Sequence, residues 1–455
     1  MSGDNRKYFG TDGIRGIASV PPLDPGTLVL LGKSLGLIFK KKDGHHRILI
    51  GKDTRLSGYM IETALAAGIT SVGVDVQLVG PLPTPGVAYL TKSMRADAGI
   101  VISASHNPFE DNGIKIFAAD GNKLPDELEL EIEKLLESDG LAAKSAEPAQ
   151  IGKAQRIHDA VGRFTVYLKG CFPRDYSLEG MRIAIDAGHG AGYIVGPQTL
   201  EELGAEVCAR GTSPNGRNIN AGFGSLFPDI VKTVVADQNC NMGIALDGDG
   251  DRAILCDEKG MILDGDIILA ICAIDLKEQG LLKNDAVVAT VMSNWGLDKM
   301  LEPHGIKVFR SSVGDRYVRE LMDKEDIILG GEQSGHTIFR DYSTTGDGIL
   351  TSLKVLEVML RKGKTLSELA QDFKRFPQRL INVKVSSKPD LETLEGVQNE
   401  IKAVEDELKG RGRVLVRYSG TEKKARVMVE CENEDDCKSY AYRVAESIER
   451  EIGAV

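Results

Sequence analysis

The sequence contains little that would mark a secreted, membrane-bound or nucleic-acid-binding protein. Its 455 residues include only seven cysteines, an odd number, and no C-x-x-C pair, which predicts neither a disulfide framework nor a thiolate zinc site. The N-terminus lacks the apolar core of a signal peptide, and no apolar run approaches the length that a bilayer requires. The net charge of -11, with basic residues scattered along the chain, disfavours binding to nucleic acid. We therefore expect a cytoplasmic protein without a membrane or nucleic-acid partner.

What the sequence does contain is typical of a globular protein with several domains. At roughly 100 to 200 residues per domain, the length predicts three or four of them. Hydrophobic residues make up 42% and charged residues 27%, both close to the usual values for soluble proteins. Glycine is abundant, at 51 residues, which fits many tight turns and close backbone approaches to a ligand.

Three stretches share one pattern: a short apolar strand, a turn with Gly, Ser or Asn, a helix-like segment, then a glycine and a second strand. They are residues 47–79, 182–209 and 286–309. Strands that alternate with helices predict largely parallel sheets covered by helices on both faces. In such sheets, ligands bind beyond the C-terminal ends of the strands.

The last part of the chain follows a different pattern. Alternating apolar residues at 380–387, an acidic helix-like stretch at 390–409, two more alternating segments and a final helix predict a smaller α+β unit. The predicted fold class is therefore α/β, with three similar mixed-sheet α/β domains and a smaller C-terminal α+β domain. We place these domains at residues 1–158, 159–258, 259–373 and 374–455.

The first motif with chemical content follows an apolar strand and reads SASHNP over residues 103–108. It presents hydroxyl groups on a loop at a strand end. Pro108 fixes its own φ angle and disfavours helix at the residue before it, so the loop is expected to hold its shape. A capping Ser-x-x-Asn turn is an equally simple interpretation of the motif taken alone. The Asp-Asn-Gly segment at 111–113 is predicted to be a turn, followed by a strand that carries Lys115.

A second motif places three carboxylates within five residues, at Asp247, Asp249 and Asp251, directly after an apolar strand. Such carboxylates repel one another unless a cation neutralises them, and hard oxygen ligands are typical of Mg²⁺ or Ca²⁺ sites. A solvated acidic turn and a calcium EF-hand are rival interpretations, the latter because Glu258 falls at the twelfth loop position. The EF-hand fails because its sixth position is Arg252 instead of glycine and because the flanks are predicted strands. A catalytic divalent-cation site is therefore predicted, with Arg252 available to neutralise phosphate.

Three further segments carry groups that suit a phosphorylated sugar, and each is a weak signal by itself. The loop at 330–336 has polar side chains at alternate positions, which would point to one side if the segment is extended. A satisfied surface turn is the competing interpretation there. Residues 417–421 combine a guanidinium, hydroxyls and a glycine turn between two predicted strands, as in a phosphate cradle. Near the N-terminus, Arg15 and the loop 11–13 offer a similar set.

We call residues 103–108 the serine loop, 247–251 the aspartate loop, 330–336 the sugar loop and 417–421 the phosphate loop. Taken in order, these loops resemble those of the α-D-phosphohexomutase superfamily over essentially the whole chain. The strings FGTDGIRG, SASHNP, VGDRYV at 313–318 and GGEQSGH most resemble the branch that acts on amino-sugar phosphates. One difference is that Lys423, Lys424 and Ala425 follow the phosphate loop, where the superfamily usually has proline and apolar residues. The resemblance implies four domains around a central cleft, and transfer of a phosphoryl group between two hydroxyls of a hexosamine.

The resemblance also implies four sets of functional residues. The residue that carries the phosphoryl group is Ser105. The ligands of Mg²⁺ are Ser105, Asp247, Asp249 and Asp251. The catalytic residues near the reacting phosphoryl group are Ser105, His106, Arg15, Arg252 and Lys115, the last a candidate for proton transfer. The residues that bind the substrate are Glu332, Ser334 and His336 at the sugar hydroxyls, and Arg417, Ser419, Gly420 and Thr421 at the phosphate that is not reacting.

The implied cofactors are one Mg²⁺ per subunit, a phosphoserine at Ser105, and a hexosamine 1,6-bisphosphate that serves as intermediate and activator. The implied partner is a small sugar phosphate, and a homodimer is one expected assembly. Superfamily members that act on glucose or mannose phosphates share the serine and metal loops and are the main alternative. A sugar-phosphate-binding regulator without catalysis is a second alternative, which the intact catalytic positions disfavour.

Overall fold

The computed structural model describes residues 6–10, 12–40, 44–419 and 423–454. The chain divides into two units, which consist of Met1–Thr290 with Phe309–Gln371 and of Val291–Val308 with Asp372–Val455. Within the described residues the strands form four sheets, of seven, five, four and three strands. Short 3₁₀ helices lie at Leu141–Ala143, Pro148–Gln150, Lys283–Asp285, Glu302–His304 and Leu391–Thr393. Among the residues that the structure describes, no helix combines the length and apolar character needed to cross a membrane.

The first sheet carries the serine motif. Its strands are β1 (Phe9–Gly10), β2 (Gly13–Ile17), β3 (Arg47–Lys52), β4 (Asp75–Pro81), β5 (Ala98–Ile102), β6 (Asp111–Ala118) and β7 (Ala154–Arg156). The order in the sheet is β1-β2-β6-β5-β3-β4-β7, with β3 parallel to β4 and β5, and β6 antiparallel to β2 and β5. The helices of this part are α1 (Pro25–Phe39), α2 (Ser57–Ser71), α3 (Thr84–Ser93), α4 (Asp126–Leu136) and α5 (Ala160–Gly170).

Helices α1 and α2 pack with their backbones in close contact. A Cβ atom at Gly32 would lie 2.5 Å from the Leu65 carbonyl oxygen, and one at Gly68 would lie 2.2 Å from that of Val29. Only glycine fits at these two positions, and the close approach lets both helices cover the buried isoleucines and leucines of this domain. Helix α1 begins after Asp24, whose carboxylate accepts the amides of the next two non-proline residues in a standard N-cap.

The second sheet carries the aspartate motif. Its strands are β8 (Arg182–Asp186), β9 (Glu206–Arg210), β10 (Met242–Leu246), β11 (Ala253–Asp257) and β12 (Ile262–Leu263), and the helices are α6 (Val195–Glu202), α7 (Asp229–Gln238) and α8 (Gly265–Glu278). The order is β12-β11-β10-β8-β9. β10 is parallel to β8 and antiparallel to β11, so the aspartates lie in the connection at the C-terminal end of β10.

The third sheet carries the predicted sugar loop. Its strands are β13 (Ala286–Thr290), β14 (Lys307–Ser311), β15 (Leu329–Gly331) and β16 (Thr337–Phe339), and the helices are α9 (Trp295–Leu301), α10 (Asp315–Lys324), α11 (Gly348–Lys362) and α12 (Leu366–Ala370). The order is β14-β13-β15-β16. Helix α11 begins after Asp347, whose Oδ1 accepts the amides of Ile349 and Leu350 at 3.0 Å each. The sugar loop is the turn between the antiparallel strands β15 and β16.

The fourth sheet lies within the second unit. Its strands are β17 (Gln378–Lys384), β18 (Gly412–Tyr418) and β19 (Lys424–Cys431), in the antiparallel order β17-β19-β18. Helices α13 (Glu395–Leu408) and α14 (Glu434–Ile452) bury valine, leucine and isoleucine side chains against one face of this sheet. This C-terminal domain is α+β, because the strands of its sheet are all antiparallel and no helix connects parallel neighbours within its described residues.

The predicted fold class is confirmed: three mixed-sheet α/β domains are followed by a smaller α+β domain. The three predicted strand-helix-strand units are present as β3-α2-β4, β8-α6-β9 and β13-α9-β14. One local prediction is wrong, because residues 111–113 form the start of β6 and not a turn. They pair with Ile17, Gly16 and Arg15 of β2, and this pairing satisfies backbone groups that a local turn preference leaves out of account.

Candidate active site

The serine motif forms a tight, buried loop after β5. The amide of Ser103 donates to the Gly113 carbonyl at 3.0 Å, and Ser103 Oγ accepts the amide of Ser105 at 2.9 Å. Ser105 is 1% exposed and has a φ angle of 51°, in the left-handed region that few residues other than glycine adopt. With this backbone its hydroxyl reaches the aspartate loop, where Oγ donates to Asp247 Oδ2 at 2.6 Å.

The aspartate loop brings its three carboxylates together out of solvent. Asp247, Asp249 and Asp251 are buried, and one oxygen from each lies within 4.8 Å of the others. Among the described residues, Asp249 Oδ1 and Asp251 Oδ1 are buried and have no hydrogen-bond partner. Buried carboxylate oxygens left in this way need a cation, and a set of hard oxygen donors fits Mg²⁺. The three aspartates and the adjoining Ser105 hydroxyl therefore form a candidate metal site.

Lys115 of β6 supplies part of the positive charge that this site requires. Its Nζ lies 3.0 Å from Asp249 Oδ2, 3.4 Å from Asp251 Oδ2 and 3.3 Å from Asp12 Oδ2. Burial lowers the pKa of Lys115, but these three carboxylates hold it well above its ordinary value. Burial also raises the pKa of Asp251, but Lys115, His336 and Arg252 together outweigh that effect and hold it well below the usual range. The ammonium group is therefore built into the acidic cluster.

Thr84, the first residue of α3, holds Asp249 through two hydrogen bonds. Its Oγ1 donates to Asp249 Oδ2 at 2.7 Å, and its amide donates to the Asp249 carbonyl at 2.9 Å. The first sheet's domain thus helps to orient a carboxylate that belongs to the second. Thr84 was not predicted as a site residue, because the contact spans 165 positions and nothing in the local sequence around Thr84 indicates it.

A cavity of about 430 Å³ adjoins the serine and aspartate loops, a volume within the range of small-molecule sites. Its lining residues come from the N-terminal loop, the serine and aspartate loops, the start of α10 and the sugar loop: Tyr8, Gly10, Asp12, Gly13, Arg15, His106, Asp251, Arg252, Val313, Gly314, Asp315, Glu332 and His336. Six of these were predicted from the sequence as site residues, so the fold brings the separate motifs together around one space.

Two predicted catalytic residues lie at the serine side of this cavity. His106 Nδ1 is 3.3 Å from Ser105 Oγ. Burial, with two arginines nearby, lowers the pKa of His106, so its imidazole is neutral at neutral pH and can accept a proton. Arg15 forms an ion pair with Asp12, a residue that the sequence analysis did not single out within the loop 11–13. Thr11 of that loop lies outside the described residues.

The sugar loop is not extended, so the condition under which its alternate side chains would point to one side does not hold. Residues 332–336 form a turn closed by hydrogen bonds from the Glu332 amide to the His336 carbonyl at 2.9 Å and from the Gly335 amide to the Glu332 carbonyl at 3.0 Å. Strands β15 and β16 pair on either side, and this hairpin pairing forces the reversal. Glu332 and His336 nevertheless both line the cavity, and Ser334 Oγ donates to Glu332 Oε2 at 3.1 Å.

His336 connects the sugar loop to the charged cluster. Its Nδ1 lies 3.6 Å from Asp251 Oδ2 and its Nε2 3.6 Å from Asp315 Oδ2. Burial lowers the pKa of His336, but the two carboxylates outweigh it and the pKa is raised. Asp315 also accepts Lys123 Nζ at 2.8 Å. The string VGDRYV contained Asp315, but its position in the chain gave no indication that it would meet His336.

The phosphate loop belongs to the second unit, and the structure describes part of it. Gly420 and Thr421 lie outside the described residues, whereas Arg417 is the penultimate residue of β18 and Ser419 is buried just after the strand. Arg417 lies directly opposite Arg426 of β19. Burial and this second guanidinium lower the pKa of Arg417. Two half-buried arginines therefore lie opposite each other on adjacent strands, and the local sequence gave no indication that Arg426 would take this place.

Comparison with known proteins agrees with this arrangement along the whole chain. Profiles of the phosphoglucomutase/phosphomannomutase family match alpha/beta/alpha domain I at residues 6–142, domain II at 166–260, domain III at 264–376 and the C-terminal domain at 380–447. The chain therefore belongs to the phosphoglucomutase/phosphomannomutase family. It is an isomerase of the mutase type, as the resemblance implied.

Relatives with curated names narrow the comparison. The phosphoglucosamine mutases of Geobacter metallireducens and Geotalea uraniireducens are 53% and 54% identical to this chain, each over 98% of it and 99% of the relative. These names favour the amino-sugar branch over the phosphoglucomutase and phosphomannomutase alternative.

Solved structures show the same fold at low sequence identity. A phosphoglucomutase/phosphomannomutase family protein from Burkholderia thailandensis matches with a TM-score of 0.79 and 20% identity, over 98% of this chain and 99% of that one. An N-acetylphosphoglucosamine mutase from Aspergillus fumigatus, solved with GlcNAc-6P and magnesium, matches with a TM-score of 0.65 and 19% identity, over 98% and 96%. At these identities the likeness concerns the fold.

Proposed function

We propose that this chain interconverts glucosamine 6-phosphate and glucosamine 1-phosphate through a phosphoserine at Ser105 and a bisphosphate intermediate, and so supplies the synthesis of UDP-N-acetylglucosamine. The observation that carries the proposal is the buried contact of 2.6 Å between Ser105 Oγ and Asp247, within a cluster of three carboxylates beside a cavity. A serine in this position is suited to hold a phosphoryl group next to a cation. The phosphoglucosamine mutase relatives support the choice of substrate.

The proposed cofactor is one Mg²⁺ per subunit, held by Ser105, Asp247, Asp249 and Asp251. The two buried carboxylate oxygens without hydrogen bonds, on Asp249 and Asp251, support this set of ligands. When bound, Mg²⁺ would neutralise charge on the phosphoryl group during transfer. Lys115 and Thr84 already occupy other oxygens of the cluster, which restricts the orientation of the carboxylates.

In the first half of the proposed reaction, the bond between phosphorus and Ser105 Oγ breaks, and a bond forms to the free hydroxyl of the hexosamine phosphate. The hydroxyl loses its proton and the serine oxygen regains one. We propose that Lys115 exchanges this proton. His106, which lies beside Ser105 Oγ, is proposed as a further catalytic residue. Arg15 and Arg252 line the cavity and would stabilise the charge of the transferring group. The resulting hexosamine 1,6-bisphosphate turns around and returns its other phosphoryl group to Ser105.

Two sets of residues would hold the rest of the substrate. Glu332, Ser334 and His336 are proposed to contact sugar hydroxyls, and the position of Glu332 and His336 on the cavity wall supports this. Arg417, Ser419, Gly420 and Thr421 are proposed to hold the phosphate that is not reacting. The Arg417–Arg426 pair on adjacent strands supports an anion site there.

Three further features remain proposals of the same kind. We propose a division into domains at 1–158, 159–258, 259–373 and 374–455, and a cytoplasmic location, which the seven free cysteines support. A homodimer is the proposed assembly, and light scattering coupled to gel filtration tests it directly: a mass of one chain at working concentration would contradict it.

The substrate proposal is tested by coupled turnover assays on glucosamine 6-phosphate, glucose 1-phosphate and mannose 1-phosphate, measured side by side with Mg²⁺ and the matching hexose bisphosphate. We expect kcat/KM to be at least about tenfold higher for the amino sugar. A preference for glucose or mannose phosphate would overturn the substrate, and phosphopeptide mapping that finds the phosphoryl group on Ser103 or on no serine would overturn the route.

A further inference from the structure

Two side chains from different domains donate hydrogen bonds to the same two carbonyl groups of the serine loop. Asn220 Nδ2 donates to the Ser105 carbonyl at 2.9 Å and to the Asn107 carbonyl at 3.1 Å. Arg55 belongs to the same domain as the serine loop, and its Nη2 donates to the same carbonyls at 3.1 Å and 2.5 Å. All four partners are buried or half-buried, so these hydrogen bonds do not exchange freely with water.

The serine loop needs such a restraint because Ser105 is held in an uncommon backbone conformation. Its φ angle of 51° lies in the left-handed region, which costs a residue with a Cβ atom free energy relative to extended or helical backbone. The direction of the Ser105 side chain follows from that backbone. If the loop relaxed, Oγ would leave Asp247 Oδ2, which it now contacts at 2.6 Å.

Asn220 is itself held by the second sheet. Its backbone N–H donates to the Gly188 carbonyl at 2.8 Å, and the backbone N–H of Gly188 donates to Asp186 Oδ1 at 2.9 Å. Asp186 is the last residue of β8, and its other oxygen accepts the Gly224 amide at 2.7 Å. The asparagine therefore transmits the position of the second sheet to the serine loop of the first domain.

The aspartate loop packs against this same contact. A Cβ atom at Gly248 would lie 2.5 Å from the Ser105 carbonyl oxygen and 2.7 Å from Asn220 Nδ2. The backbone of the metal loop, the asparagine amide and the serine carbonyl thus meet within van der Waals distance. Movement of Asn220 would change the distance between the serine and the aspartates as well as the conformation of the serine itself.

We infer that Asn220 is a positioning residue for phosphoryl transfer: by binding the Ser105 and Asn107 carbonyls, it holds the serine hydroxyl in line with the aspartate cluster. The inference rests on the proposed phosphoserine route. Among the described residues, Asn220 Nδ2 donates to backbone carbonyls of the serine loop, so Asn220 acts through Ser105 and not on the substrate. It should affect the transfer step and leave the affinity for the sugar phosphate nearly unchanged.

Two variants separate this role from a merely structural one. Asn220→Gly removes both hydrogen bonds and tolerates the φ angle of 58° at this position. Asn220→Asp keeps the size of the side chain but points a carboxylate at two carbonyl oxygens. We expect kcat to fall about tenfold in Asn220→Gly and by on the order of 10²-fold in Asn220→Asp, with KM within about twofold of the wild type. A side chain that only fills space would give the opposite order, because Asp is isosteric with Asn.

The matched control is Asn239→Gly, an exposed asparagine of the same domain that also has a left-handed backbone, with a φ angle of 51°. It should leave both constants unchanged. A second measurement follows transfer from glucose 1,6-bisphosphate to Ser105 in a single turnover, by intact mass, and this step should slow in parallel with kcat.

The outcomes distinguish the inference from the proposed function. If the wild type neither turns over nor accepts a phosphoryl group on Ser105, the proposed function itself is wrong. If the wild type is active and both Asn220 variants match it, or if only KM changes, the positioning role is wrong. The positioning role is supported if both variants are folded, as unchanged far-ultraviolet circular dichroism would show, and if kcat falls in Asn220→Gly and falls further in Asn220→Asp.

Discussion

The aspartate loop and the phosphate loop both concentrate charges of one sign, and they balance those charges in different ways. In the aspartate loop, three buried carboxylates meet Lys115 from the same unit, and two carboxylate oxygens are left for a cation. In the phosphate loop, Arg417 faces another arginine, Arg426, across two strands. The first arrangement places a buried lysine among its carboxylates, whereas the second places a charge of the same sign directly opposite Arg417. The difference suits a site that performs the chemistry and a site that holds a phosphate.

The largest effect should come from removing the hydroxyl at the centre of the aspartate cluster. Ser105→Ala leaves the carboxylates and Lys115 in place but removes the group that accepts the phosphoryl. We expect kcat to fall by at least about 10³-fold, because nothing else replaces a covalent nucleophile. Turnover of glucosamine 6-phosphate and incorporation of phosphate from a hexose bisphosphate measure it. Activity within tenfold of the wild type would show that Ser105 is not the phosphorylated residue.

The next effect should come from weakening the metal side of the cluster. Asp249→Asn removes one charge and one strong ligand without opening a cavity, so the fold should remain while kcat falls by about 10²-fold or more. The Mg²⁺ concentration needed for half-maximal turnover should rise, and Mg²⁺ titration of activity measures it. Asp237→Asn, an exposed residue of the same domain, is the control. Unchanged metal dependence in Asp249→Asn would mean that the aspartates form only an acidic turn.

A smaller effect is expected at the phosphate loop. Arg417→Ala removes a charge-assisted contact worth on the order of 2 kcal/mol, or about 30-fold in kcat/KM. Because binding of a remote phosphate is used to orient the substrate, kcat should fall as KM rises, and more inorganic phosphate should be released to water. Steady-state kinetics with a phosphate assay tests this.

Arg411→Ala, an exposed arginine of the same unit, should behave as the wild type. If Arg417→Ala also leaves kcat and KM unchanged, then Lys423 and Lys424, which depart from the usual sequence, have taken over the phosphate site or displaced it.

The smallest effect concerns a buried carboxyl outside the metal cluster. Burial raises the pKa of Asp347 to about 7, even though two amides at the start of α11 hydrogen bond to it. Since the folded pKa exceeds the unfolded value of 3.8, the folded state holds a proton that the unfolded state has lost. The free energy of unfolding should therefore fall as pH rises from about 4 to about 7, then level off, with about 1.4 kcal/mol lost between pH 6 and 8.

Asp347→Asn keeps the oxygen that accepts the two amides but cannot ionise, so this part of the pH dependence should disappear. Denaturant midpoints of the first unit at pH 6 and pH 8, in magnesium-free buffer, measure the difference. Asp24→Asn is the control, since hydrogen bonding to Thr27 lowers the pKa of that half-buried cap and its effect lies at acidic pH. An equal slope in the wild type and Asp347→Asn would show that Asp347 is ionised throughout this range.

The sequence carried enough information for the strands, the helices and the residues that the motifs name directly. Apolar runs followed by glycine turns predicted the three strand-helix-strand units, because those patterns are local. The turn predicted at 111–113 was wrong and the conformation of 332–336 stayed open for one reason: both segments are shaped by strand pairing with a distant or reversed partner, which local preferences do not contain. Thr84 and Asn220 were missed because each acts on a loop more than 100 residues away. Their roles arise only when two domains meet.

The spacing of these contacts along the chain has a consequence for biosynthesis. Ser105 and Asp247 are 142 residues apart, and Thr84 and Asp249 are 165 apart. A chain emerging from the ribosome presents the serine loop long before the aspartates exist, and at about 5–20 residues per second this interval lasts on the order of ten seconds. During that time the serine loop lacks both the aspartate cluster and the asparagine that binds its carbonyl groups. The nascent first domain is therefore expected to fold before the proposed phosphoryl-transfer site is complete, and under the proposed function competence for transfer begins only after the second domain has been synthesised.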